Sequence, residues 1–194
     1  MKMFPSSINY KLFLPDVGLE IIVRNSQNNN AVTGAVVSVS YDDVAADNFY
    51  YLAKDVAVGS DGTVFIPVKK NGFYNIKVEA EGFITSSFEM EVECTTADCP
   101  NKRLVSLSPK LEAGETRIIM TWENDDPADI DLHVMAVKKS DRSRSTCRTF
   151  YQEKNNCEKI SLDLDNTSGG HNGAETITLL DNLGRPPRKK KIDT

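Results

Sequence analysis

Residues 61–80 read DGTVFIPVKKNGFYNIKVEA. Two glycine turns, Asp61-Gly62 and Asn71-Gly72, each open a short run in which apolar and polar residues alternate. In the second run Tyr74, Ile76, Val78 and Ala80 fall on one side and Asn75, Lys77 and Glu79 on the other, the period of a half-buried strand. Glycine supplies the positive φ that such tight turns need. A helix would space its apolar residues by three and four, and this stretch spaces them by two.

The same grammar extends in both directions. LEIIVRNS at 19–26 and AVVSVSY at 35–41 come before, and SFEMEVE at 87–93 and KRLVSLSP at 102–109 come after, with Glu81-Gly82 as a further turn. The longer stretch VAADNFYYLAKDVA at 44–57 carries Phe49, Tyr50 and Tyr51 and is read as a strand or turn whose aromatics cover the sandwich end, rather than as a binding loop. SPKLEAGET, around 109–115, has no periodicity and reads as a linker. Beyond it TRIIMTW, DIDLHVMAV, CRTFYQ, KISLDLD and ETITLLD again read as strands, and Trp122 as a core anchor. The chain is therefore expected to be all-β: a β-sandwich over 17–108, a smaller antiparallel β-domain over 116–183, an N-terminal segment of 1–16 and a basic tail of 184–194.

Two resemblances sharpen this reading. VTGAVVSV, DGTVFIPV and NGFYNIKVEAEGF, with Gly34, the Asp-Gly turn and a tyrosine strand ending in Ala80-x-Gly82-Phe83, resemble the carboxypeptidase regulatory-like domain over about residues 17–108. That resemblance implies a transthyretin-like seven-stranded sandwich, a non-catalytic module found beside peptidases or in cell-surface and secreted proteins. MTWENDDPADIDLHV, CRTFYQEKNNC and SLDLDNTSGGHNGAETITL look like an Asp-rich extracellular or periplasmic β-domain family. Its pattern falls on Trp122, Asp129, Asp131, His133, Asp163, Asp165, Gly169, Gly173 and Glu175. Domains of that kind continue with further strands, whereas here GRPPRKKKIDT follows, whose prolines and charges cannot form a core strand. The second domain is accordingly read as incomplete.

Composition narrows the function. Residues 115–183 carry 13 acidic and 8 basic groups, and an acidic body argues against nucleic acid, which needs a basic face. No run is long enough to span a bilayer, and Pro5, Ser6, Ser7, Asn9, Lys11 and Pro15 interrupt any signal-peptide core near the start. The four cysteines form two local pairs, Cys94 with Cys99 and Cys147 with Cys157, which suggests two small disulfide loops and an oxidising, extracellular setting. Free thiols and zinc are the rival readings. Asn166-Thr167-Ser168 is a glycosylation sequon.

The chemistry concentrates in two Asp-x-Asp pairs. Read as strands, DIDLH sets Asp129, Asp131 and His133 on one face, and SLDLD sets Asp163 and Asp165 on another. If those strands are neighbours, four like charges crowd one surface and need compensation. Hard cations such as Ca²⁺ take six to eight oxygen ligands and bind where carboxylates converge. Asp129, Asp131, Asp163, Asp165 and Glu175 are the expected ligands, with Asn124, Asp125, Asp126 and Asn166 supplying loop oxygens, and Gly169, Gly170 and Gly173 letting the backbone approach the ion. A transition metal would recruit more than the single His133. The bland rival is a solvated acidic face. No nucleophile motif or zinc-peptidase motif accompanies the two histidines, so no enzyme activity is expected. The sequence thus reads as a non-enzymatic extracellular interaction or structural module for a protein or glycan partner, with Ca²⁺ in its second domain. The alternative is an accessory fragment of a larger secreted metallopeptidase-type protein.

Overall fold

A computed structural model describes residues 18–43, 48–68, 71–92, 101–122, 126–138 and 141–180, and the cysteines at 94 and 99 lie outside them. Alternation becomes strand nearly everywhere in this range. Seven strands build the first region: β1 (Gly18–Asn25), β2 (Val36–Asp43), β3 (Asn48–Ala57), β4 (Thr63–Pro67), β5 (Gly72–Glu79), β6 (Ser86–Val92) and β7 (Asn101–Leu107). They form a three-stranded sheet ordered β4-β1-β7 and a four-stranded sheet ordered β3-β2-β5-β6. β1 runs parallel to β7 and antiparallel to β4.

The inward residues of both sheets meet in one core. Leu19, Ile21 and Val23 of β1 and Ile66 of β4 face Val37 and Val39 of β2 and Tyr74, Ile76 and Val78 of β5, all of them buried. The alternation in 72–79 is realised as read: Tyr74, Ile76 and Val78 are buried while Phe73 and Lys77 are exposed. The residues at 44–57 include a strand, β3, on which Tyr51 is 58% exposed.

Five strands build the second region: β8 (Glu115–Met120), β9 (Val134–Lys138), β10 (Asp141–Thr149), β11 (Ile160–Leu164) and β12 (Glu175–Leu180). β11-β12-β8 form one antiparallel sheet and β10-β9 a two-stranded one. The two Asp-x-Asp stretches therefore do not pair side by side. Asp129, Asp131 and His133 lie in a segment ahead of β9 that belongs to no ladder, whereas Asp163 sits in β11. The Cys147–Cys157 disulfide is present, with Cα atoms 5.4 Å apart, and closes the loop between β10 and β11. Trp122 lies beyond the end of β8 and is only partly buried. Among the described residues, no helix is long and apolar enough to cross a membrane.

Polar contacts join the two regions. Gln27, in the turn after β1, donates from Nε2 to Asp163 Oδ2 at 3.1 Å, and Asn29 Nδ2 donates to the Asn172 carbonyl at 2.6 Å. Arg117 of β8, nearly buried, donates to Ser108 Oγ at 2.8 Å, the Pro109 carbonyl at 2.9 Å and Thr178 Oγ1 at 3.0 Å, and pairs with Glu115 at 2.6 Å. The stretch read as a linker is thus pinned at its first residues by a guanidinium from the second region.

Candidate metal centre

Glu175 opens β12, and its side chain has no exposed surface. Its Oε1 accepts the Leu132 backbone N–H at 2.9 Å, which draws the segment carrying Asp131 onto β12. Its Oε2 is buried without a hydrogen-bond partner. A buried carboxylate oxygen left unpartnered is costly. Burial pushes the Glu175 pKa up to about 7, against the pull of the Leu132 N–H, and the charges of Asp165, Asp131 and Asp129 push it the same way as burial does.

Asp165 follows β11, where the pairing with β12 shifts register between Leu162 and Leu164. That bulge falls on Asp163 and so breaks the simple alternation that would set Asp163 and Asp165 on one face. Asp165 Oδ1 is buried and unpartnered, and Oδ2 meets Lys154 Nζ at 3.0 Å. Carboxylate oxygens of Asp131, Asp165 and Glu175 lie within 4.8 Å of one another, with Asp131 exposed, Asp165 intermediate and Glu175 buried. This set of three could hold a metal ion. All its donors are carboxylate oxygens, the chemistry of a hard cation rather than of a soft one.

The other expected ligands stand elsewhere. Asp163 turns toward a hydroxyl and amide network: Oδ1 accepts from Ser161 Oγ at 2.9 Å, and Oδ2 accepts from Gln27 and from Thr178 Oγ1. It is a clamp between the two regions and not one of the converging carboxylates. Asp129 is exposed and reaches Glu175 only through its charge. His133 Nδ1 accepts from Arg148 Nε at 3.0 Å and the ring stacks on Phe150 at 5.0 Å, so that nitrogen is engaged away from the acids. Asn124 and Asp125 lie outside the described residues, and Asp126 is exposed.

Asn166 is buried. Its Nδ2 donates to the Gly169 carbonyl at 2.9 Å and its Oδ1 accepts the Ser168 N–H at 3.2 Å, so in the folded chain the amide of the sequon holds a turn together. Two of the loop glycines also serve contacts other than the one expected. A Cβ at Gly170 would stand 1.9 Å from the Trp122 carbonyl oxygen, and one at Gly173 would stand 3.0 Å from Asn29 Oδ1. Gly170 lets the loop press against Trp122, and Gly173 lets it press against the first region. The Gly169 N–H donates to the Ala128 carbonyl at 2.6 Å and Trp122 Nε1 to the Pro127 carbonyl at 3.2 Å, which ties the loop to the segment that carries Asp131.

Sequence reasoning missed Lys154 and Gln27. Neither belongs to a motif, and each reaches its aspartate only through tertiary contact. Beside the site, where the two regions meet, lies an open groove of about 620 Å³, lined among others by Glu20, Arg24, Lys102, Asp165, Thr167 and Ser168. In comparisons with known proteins, no family model matches the chain and no curated protein is significantly similar to it.

Proposed function

We propose that the chain is a non-enzymatic interaction module of extracellular type, whose second region binds Ca²⁺ through Asp131, Asp165 and Glu175. The observation that carries this reading is Glu175: a wholly buried carboxylate, with Oε2 unpartnered, placed beside two other carboxylates. Such an arrangement is unfavourable without a positive charge and becomes favourable with one. A divalent cation would draw the three segments together, with carbonyls and water completing its oxygen shell. The Cys147–Cys157 disulfide is compatible with an oxidising compartment. The groove beside Asp165 is the surface that such an ion would stiffen. Its hydroxyl-bearing and charged lining of both signs suits a polar protein or glycan partner better than an apolar one.

Thermal unfolding in chelator and in about 1–5 mM Ca²⁺, with Mg²⁺ as the control, tests the reading, because extracellular modules bind Ca²⁺ with dissociation constants of about 10⁻⁴–10⁻³ M. Tenfold saturation adds about 1.4 kcal/mol, a rise of several degrees for a small region. The rise should vanish in Glu175→Gln and Asp165→Asn. A melt indifferent to Ca²⁺ would overturn the cation reading.

A further inference from the structure

We infer that Lys154 is the built-in counter-ion of this carboxylate site and sets how tightly the site takes a divalent cation; the inference rests on the cation reading above. The ammonium stands 3.0 Å from Asp165 Oδ2, with the lysine side chain half exposed and the aspartate side chain 19% exposed. Its place is constructed rather than accidental. The Cys147–Cys157 disulfide closes the loop, Phe150 and Glu153 exchange backbone hydrogen bonds within it, and the Lys154 carbonyl accepts the Leu162 N–H at 2.9 Å. The lysine is thereby anchored to β11, just ahead of Asp165, with its charge on the Asp165 carboxylate.

Physical chemistry gives this charge two opposite effects. Without a metal it offsets the repulsion among Asp131, Asp165 and Glu175 and so favours the folded second region. A divalent ion among the same oxygens would share Asp165 with the ammonium and be repelled by it. Lys154 therefore stabilises the metal-free form and weakens the affinity of the metal-bound one, which places the site in a range that responds to changes in extracellular Ca²⁺ rather than being permanently filled. A lysine with a merely structural role would act in one direction only, because its loss would loosen the fold and the site together.

Calcium titration by calorimetry, paired with melts in chelator, separates these cases for the full chain and for Lys154→Gln, Lys154→Arg and Lys154→Gln/Asp165→Asn. Lys154→Gln should bind Ca²⁺ about three- to tenfold more tightly at low ionic strength, a gain that shrinks as salt screens the charge. It should also melt lower in chelator, while Lys154→Arg stays near the parent in both measurements. In the double variant no tightening should appear. Equal or weaker Ca²⁺ affinity in Lys154→Gln, with the parent binding normally, overturns the inference and leaves the cation reading intact. Calcium binding by neither protein overturns both.

Discussion

The two regions are held by different forces. Among the described residues, 17 buried residues from both sheets of the first region and the loops flanking them form one continuous core. Among the described residues of the second region, the buried apolar ones are Cys157, Leu162, Ala174 and Ile177, which share its interior with Thr149, Asn166, Glu175, Thr176 and Thr178. A small unit with so little apolar surface to bury needs other fasteners. It has a disulfide, the Arg117 network, the Gln27–Asp163 clamp and, in the reading proposed above, a cation. The first region therefore supplies stability. The second has a buried carboxylate in a polar interior, and it holds the candidate site.

The sharpest way to break this contrast is to attack the two interiors separately. Ile76→Ala, in the shared core of the first sandwich, should cost about 2–5 kcal/mol and lower its unfolding transition, as read by chemical denaturation. Reduction of Cys147–Cys157, or its replacement by serines, should cost about 2–3 kcal/mol for a loop this short. It should act on the second region alone, so hydrogen exchange in β1, β2 and β5 should remain protected. If those strands lose protection as well, the two regions unfold as one and the contrast fails.

Glu175 gives a pH test with a definite sign. Its pKa stands at about 7 in the folded chain against 4.5 in a free side chain, so the folded state holds a proton that the unfolded state releases. Metal-free stability of the second region should be greatest below about pH 4.5 as far as this group is concerned, fall as pH rises to about 7, and then level off, at about 1.4 kcal/mol per pH unit and up to about 3 kcal/mol in all. Melts in chelator between pH 5 and 8 should show the fall in the parent and not in Glu175→Gln. That variant should also be the more stable at pH 8 while losing its response to Ca²⁺. A parent whose second region is indifferent to pH in this window would mean that water or a neighbour satisfies the buried carboxylate.

The smallest expected effect separates the two aspartates of SLDLD. Asp163→Asn should cost about 1 kcal/mol by weakening the hydrogen bonds from Ser161, Gln27 and Thr178, and should keep the Ca²⁺-induced rise. Asp165→Asn should abolish that rise. Equal loss in both variants would place Asp163 in the site after all.

How much of this was legible from residues alone follows the range of the forces. Strand identity is local: alternation in TVFIPV, YNIKVEA and ETITLL follows from side chains pointing to opposite faces, and the strands β4, β5 and β12 stand where the pattern put them. The pairing of Cys147 with Cys157 is close to local as well, since the two are separated by 10 residues. Asp131 and Asp165 were legible as candidates because acidic residues at alternating positions are conspicuous, and Glu175 because it follows a glycine-rich turn at a position of the resembled pattern. Which acids would meet was another matter. The alternation that placed Asp163 beside Asp165 assumed an unbroken ladder, and the register shift between Leu162 and Leu164 falls on Asp163 itself.

By itself, then, the sequence determined an all-β chain, the approximate position of most strands, the short-range cysteine pair and a concentration of carboxylates in the second half; β10 begins at Asp141, ahead of the CRTFYQ read as its strand, and β9 begins only at Val134. Only the tertiary structure decided that DIDLH and SLDLD belong to different parts of the second region, that Glu175 is wholly buried against the Leu132 N–H, and that Lys154 faces Asp165 while Gln27 takes Asp163. The physical reason is one of distance along the chain. Backbone geometry and side-chain alternation act over neighbouring residues and are written in short stretches. The convergence of charges depends on how sheets separated by tens of residues come together, and no spacing within either motif encodes that.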